Sequence, residues 1–284
     1  ATHLFIPSYV AQNHIWNFDV TTYVWAVMPH LGDWIFSISY ILGGETATRF
    51  INLGFLYVIT KLIRDVIYFC GGDNRSEKIS VLLFLTTPLT FTVGSSLFVE
   101  TVWSAFLFAG FLFLIKFVTD NREEINSKNI FFSVLFFSFS IAAKAVALKI
   151  IPIAFIFLLF KYKFFVKRPS ILLISFFLVI IFGSIPYTTA WLITGNPVFP
   201  FFNQIFQSIY FPPVNFDSSV IVFGKGINWD TLYEITFSSG KFLESKNGVS
   251  GFQWLVFLLS SIIVTLSSKN IKTILFMITG IGLT

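Results

Sequence analysis

Apolar residues run along this chain in long blocks broken by short charged segments, without the strict alternation that marks a half-buried strand. Several blocks reach the roughly 20 residues that cross about 30 Å of hydrocarbon, which predicts membrane-spanning helices and excludes a transmembrane β-barrel. Residues 1–28 are mixed, with His3, Pro7, His14, Trp16, Asp19 and Trp25 and no run long enough to cross. They read as a first external loop carrying amphipathic helices at the interface. From Pro29 a short helix is predicted up to the pair Gly43-Gly44, which suits a helix terminus. A second helix covers 46–70, a third 79–99 with a kink at Pro88, and a fourth 101–118, hinged to the third around Glu100. The block 129–160 is long enough for two passes and carries Lys144 and Lys149 near its middle, so two short helices meeting at Lys144 are predicted. Residues 171–193 form a full span, 194–253 a large external segment, 254–266 a short helix, and a last helix begins near 271. The expected fold is an all-α polytopic transmembrane bundle of about eight or nine helices. It forms one domain over 1–284: first external loop 1–28, helices 29–193, external loop 194–253 and helices 254–284.

Composition agrees with that class. Hydrophobic residues make up 55% and charged residues 12%, with a mean hydropathy of +0.81, whereas soluble domains are about a quarter charged. The 39 Phe residues are core and lipid-facing filler, and no cofactor box is read into them. A single cysteine, Cys70, leaves no intramolecular disulfide and no thiolate metal site. The three histidines are scattered without metal-ligand spacing; carboxylates would admit a divalent ion, but neither a metal nor another cofactor is predicted. The chain opens at Ala1 without an initiator methionine and closes on an apolar run, 274–283, too short to span, so it reads as an internal piece of a longer protein.

Alternating the predicted spans places the segments 61–78, 116–128, 161–168 and 269–272 on one side, and they hold 13 of the 19 Lys and Arg. The positive-inside rule makes that side cytoplasmic, so the long loops face outward and the net charge of +5 reports topology rather than a nucleic-acid partner. The expected location is a plasma membrane, crossed several times.

The residues able to do chemistry then fall on the outer side. Glu100 sits at a tight turn between helices, where a carboxylate needs water, a cation or a protein partner; its plain reading is a solvated turn residue. Lys144 lies among Ile141, Ala142, Ala143, Ala145 and Val146, so its ammonium needs a carboxylate such as Glu100 or an external anion such as phosphate. A structural salt bridge competes with either. Arg49 and Lys149 have snorkelling as their plainer reading. The corner Thr194-Gly195-Asn196-Pro197-Val198-Phe199-Pro200-Phe201 follows the longest uncharged apolar run, and each proline pushes its predecessor out of the α region, so a helix exit with interfacial aromatics is the plain reading.

In order along the chain, these segments resemble the GT-C superfamily of integral-membrane glycosyltransferases. The resemblance is to the bacterial branch with the protein O-mannosyltransferases (glycosyltransferase family 39) and the lipid A aminoarabinose transferase. The segments are His3-Leu4-Phe5 with Pro7, Pro29-His30-Leu31-Gly32-Asp33, Phe98-Val99-Glu100, Ala143-Lys144 and the 194–201 corner, with Gly248-Val249-Ser250-Gly251-Phe252 as a weaker sixth. The resemblance implies an external active site that moves a sugar from a polyprenyl-phosphate donor to a protein, lipid or glycan acceptor, with inversion. It also implies a catalytic Asp a few residues ahead of the position matched by His3, upstream of Ala1. Members usually carry Glu where this chain has Asp33 and often Asp where it has Glu100; the carboxylate is kept in both.

The chemistry stands beside that likeness. Transfer from a lipid phosphate needs a carboxylate to take the acceptor proton and a cation to stabilise the departing phosphate. Glu100, with Asp33 and His3, is expected on the catalytic side, and Lys144, with Arg49, at the lipid phosphate. Asn196 and Pro197 are expected in a donor or acceptor loop. The rivals are a secondary transporter or lipid flippase, for which the midspan lysines speak, and a non-catalytic membrane scaffold.

Overall fold

The computed structural model describes residues 2–120, 122–216, 228–242, 246–268 and 270–283, and these are helical with no strand among them. Helix α1 (Thr2–Asn13) and a 3-10 turn (Val24–Val27) occupy the first loop. Helix α2 (Leu31–Phe69) is two helices joined at the expected glycine pair. Gly44 there takes φ 65°, a left-handed conformation that favours glycine. Helix α3 (Asn74–Leu85) starts earlier than the hydrophobic pattern implies, because the Asp73 side chain accepts from Ser76 N at 2.8 Å and caps a polar first turn. Pro88, with no amide to donate, opens α4 (Pro88–Ser95), which is bent from α3 by 65°.

Helix α5 (Glu100–Thr119) matches the fourth predicted span. Helix α6 (Glu123–Ala143) stops at Lys144, whose backbone is extended at φ −157° and ψ 133°. A 3-10 turn (Ala145–Lys149) and α7 (Ile150–Leu159) follow, so the break expected at Lys144 is present. After α8 (Tyr162–Lys167) comes a departure from expectation. The single full span predicted over 171–193 is α9 (Pro169–Leu178), a π-helical stretch (Val179–Gly183) and α10 (Ile185–Thr194), bent by 54°. Pro186 removes one helical donor, and the helix bends where the ladder is interrupted. Short helices α11 (Asn203–Phe206) and α12 (Thr231–Phe237) lie in the large loop, and α13 (Gln253–Ser267) and α14 (Ile271–Leu283) close the described chain.

Among the described residues, α5 alone is long and apolar enough to cross a membrane unbroken. The number rises to three if each bent pair, α3 with α4 and α9 through α10, is one span. The breaks at Pro88, Lys144 and Ser184 divide the apolar blocks into pieces shorter than their hydrophobic length implies.

Helix α5 is the centre of the packing. Its Leu107, Phe111, Leu114, Ile115 and Phe117 meet Ile130, Phe137 and Ile141 of α6 and Ile150 and Phe157 of α7. A Cβ on Gly110 would fall 2.4 Å from Phe137 Cδ1, so the glycine admits the ring. The outward faces of α9 and α10 stay apolar, with Leu173, Phe176 and Leu192 exposed.

The four basic segments gather at one end. Lys161 Nζ donates to Asp120 O at 2.8 Å and Arg168 to Ser127 Oγ at 2.9 Å, joining the two ends of α8 to the end of α5 and the start of α6. Asn270 Nδ2 donates to Cys70 O at 2.7 Å and Lys272 Nζ to Phe69 O at 3.2 Å, while Lys116 lies over the Phe69 ring. At the opposite end Leu4 of α1 packs on Phe36, Leu97, Val99 and Val102, and Phe199 packs on Val20, Val27 and Ala190.

Candidate functional site

The turn 96–99 delivers Glu100 as the first residue of α5, where the helix dipole favours a carboxylate. Lys144 leaves the end of α6, where the dipole favours a cation. The two meet: Lys144 Nζ donates to Glu100 Oε1 at 2.5 Å. Both side chains are about one third exposed, at 38% and 34%. The ammonium also stands 6.0 Å from the ring centroid of Trp103, one turn along α5. Ser140 Oγ to Trp103 O at 3.3 Å and Tyr187 Oη to Ile141 O at 2.9 Å fix this end of α6 against α5 and α10.

Asp33, in the first turn of α2, comes up beside Glu100 because Gly32 lets the helix press on the turn. A Cβ on Gly32 would sit 2.7 Å from Val99 Cγ1, so only glycine admits this approach without a shift. The two carboxyls are near enough for their charges to interact. Asp33 Oδ1, Glu100 Oε2 and the indole Nε1 of Trp103 are buried without a hydrogen-bond partner. Leaving a buried polar atom unsatisfied costs about 1–3 kcal/mol, which is the kind of strain that binding sites hold.

Other expected residues are placed differently. The side chain of His3 lies outside the described residues; its neighbour Leu4 packs on the Val99 cluster. Arg49 pairs with Glu45 Oε1 at 2.5 Å and donates through Nη1 to Ser95 O, so it serves the end of α4. Asn196 is fully buried in its own corner. Its Nδ2 donates to Phe201 O at 2.9 Å, and its Oδ1 accepts from Val198 N at 3.0 Å. Gly195 ends α10 at φ 74° and Pro197 is partly exposed beside it. A second buried amide, Asn203, accepts from Ser208 N at 2.9 Å and donates to Phe211 O at 2.9 Å and Pro212 O at 3.0 Å. The two asparagines together fold the 194–212 loop onto itself.

Sequence reading missed Asn52, Thr101 and Trp103. Asn52 is fully buried and bonds Thr101 Oγ1 and the last turn of α4. The signal was present in the helical spacing of Glu45, Arg49 and Asn52, which puts three polar residues on one face of an apolar helix. Among the described residues no cluster of three or more His, Cys, Asp or Glu could hold a metal ion.

The chain matches no protein-family model, no curated protein and no solved structure.

Proposed function

We propose that this chain is a membrane glycosyltransferase of the GT-C type, moving a sugar from a polyprenyl-phosphate donor to an acceptor at the external face of a bacterial inner membrane. The observation that supports it most is the Glu100–Lys144 pair beside the Asp33 carboxyl, at the end of the bundle opposite the basic loops. In this reading the bent pairs and the second half of α2 are spans of a multi-pass bundle, with the exposed apolar faces of α9 and α10 toward lipid.

The reaction is a single displacement. The acceptor hydroxyl oxygen bonds to the anomeric carbon as the bond from that carbon to the phosphate oxygen breaks, and the lipid phosphate leaves with the electron pair. The Glu100 carboxylate takes the hydroxyl proton, with Asp33 as the second carboxyl of the site. Lys144 exchanges its contact with Glu100 for the departing phosphate, where a desolvated ammonium is worth more than in water. Asn196 contributes by holding the shape of the external corner.

The test is transfer of labelled sugar from a panel of polyprenyl-phosphate donors by the solubilised protein. Transfer that is lost in both Glu100→Gln and Lys144→Met, with the fold kept, supports the assignment. A wild-type protein that consumes no lipid-linked sugar overturns it.

A secondary transporter or flippase is the second reading, and the broken helices favour it, since discontinuous helices line many transport sites. Uptake or lipid scrambling by reconstituted vesicles, without sugar transfer, would select it.

A further inference from the structure

Helix α4 ends at Ser95, where its last carbonyls run out of helical partners. Helix α2 supplies them from outside. Asn52 Nδ2 donates to Val93 O at 2.9 Å, to Gly94 O at 3.2 Å and to Ser96 O, and Arg49 Nη1 donates to Ser95 O. A cation and an amide thus cap the negative end of a neighbouring helix.

The other side of the same amide faces α5. Asn52 Oδ1 accepts from Thr101 Oγ1, and both residues are buried. Carbonyls only accept, so Nδ2 must face the α4 end and Oδ1 must face the Thr101 hydroxyl; the chemistry of the partners fixes the orientation. One side chain therefore grips both sides of the connection 96–99, whose next residue is Glu100. Leu97 and Val99 within it are packed by Phe36 and Val102. Packing fills the space, while the amide sets where the backbone sits along it.

We propose that Asn52 is a positioning residue for Glu100: through Thr101 and the end of α4 it sets the carboxylate against Lys144 and Asp33 without touching substrate. The kinetic part of this inference rests on the transferase reading above. A residue that only filled space would be replaceable by Leu, and Thr101 by Val, with no change at Glu100.

The variants are Asn52→Leu, Asn52→Asp, Thr101→Val and Thr101→Ser, with transfer measured against donor concentration. Misplacing a catalytic group by about 1 Å costs on the order of a hundredfold. Asn52→Leu, Asn52→Asp and Thr101→Val should therefore lower kcat by roughly tenfold to a hundredfold with donor KM within about twofold of wild type. Thr101→Ser, which keeps the hydroxyl, should restore kcat. Wild-type kcat in Asn52→Leu and Thr101→Val, or a loss confined to KM, overturns the proposal.

A second readout does not need activity. With Cys70 replaced by Ser, Glu100→Cys and Lys144→Cys are joined by a short bis-maleimide, and the yield is compared with and without Asn52→Leu. Yield should fall several-fold in the variant, and equal yields overturn the proposal. If wild type transfers no sugar, the transferase reading fails while this crosslink still decides whether Asn52 positions residue 100.

Discussion

Lys144 Nζ reaches Glu100 Oε1 at 2.5 Å across 44 residues of sequence, joining the last residue after α6 to the first residue of α5. Each charge also sits at the helix end whose dipole favours it. With both side chains about one third exposed, the pair contributes at most about 1 kcal/mol to stability. Lys144→Met and Glu100→Gln should therefore leave the unfolding temperature nearly unchanged while lowering sugar transfer by about a hundredfold or more. Thermal unfolding and transfer rates on the same preparations check this. A large drop in stability with activity retained would identify a structural bridge.

Gly32 controls how closely α2 approaches the Glu100 turn. Gly32→Ala should destabilise by about 1–3 kcal/mol through overpacking on Val99. Gly32→Ala with Val99→Ala should recover part of that loss, because the clash partner is gone. Denaturant or thermal midpoints of the three variants give the coupling.

Asn196 is spent on its own loop, so its removal should act on the corner's stability. Asn196→Ala should cost about 1–3 kcal/mol, since it leaves Phe201 O and Val198 N without their buried partner. Donor KM in the folded fraction should stay near wild type. A KM increase with unchanged stability would return Asn196 to the donor contacts.

The sidedness of the bundle is open to labelling. In a Cys70→Ser background, Lys163→Cys lies on the basic end and Gln207→Cys in the loop after α10, and both positions are exposed. An impermeant maleimide should label Gln207→Cys on intact spheroplasts and Lys163→Cys only after permeabilisation. The opposite pattern inverts the topology.

The first loop contains one acid-sensitive turn. Asp19 accepts from Thr21 Oγ1 at 2.7 Å, Thr22 Oγ1 at 2.8 Å and Thr21 N at 3.0 Å, and these bonds hold its carboxyl below the ordinary 3.8. A lowered folded-state value means the stabilisation is present above pH 3.8 and disappears as pH falls through the folded value. Backbone protection at Thr21 to Tyr23, taken relative to the intrinsic exchange rate at each pH, should therefore be lost as pH falls through that value. Asn at position 19 should remove the dependence.

Several breaks in the helices were legible because their causes are local. Gly43-Gly44 permits a left-handed backbone, Pro88 lacks a donor, and a lysine flanked by alanines at 144 marks a break in an apolar block. The start of α3 at Asn74 was legible in principle from the Asp73 cap, but hydrophobicity alone passes over a polar first turn. The bend between α9 and α10 was hidden in a long, mostly apolar run whose local signs, Gly183-Ser184 and Pro186, are also compatible with one span.

The sequence by itself determined the helical class, several of the breaks and the need of Lys144 for a carboxylate or an anion, since an ammonium in an apolar block has few ways to be satisfied. Tertiary structure alone decided that Asp33 lies beside Glu100, that Arg49 caps α4, and that Asn196 turns inward. Those outcomes depend on which helix ends meet and which carbonyls are left over at the meeting. A hydrogen-bonding side chain commits to whichever unsatisfied group packing brings within about 3 Å, and the order of residues does not encode that distance.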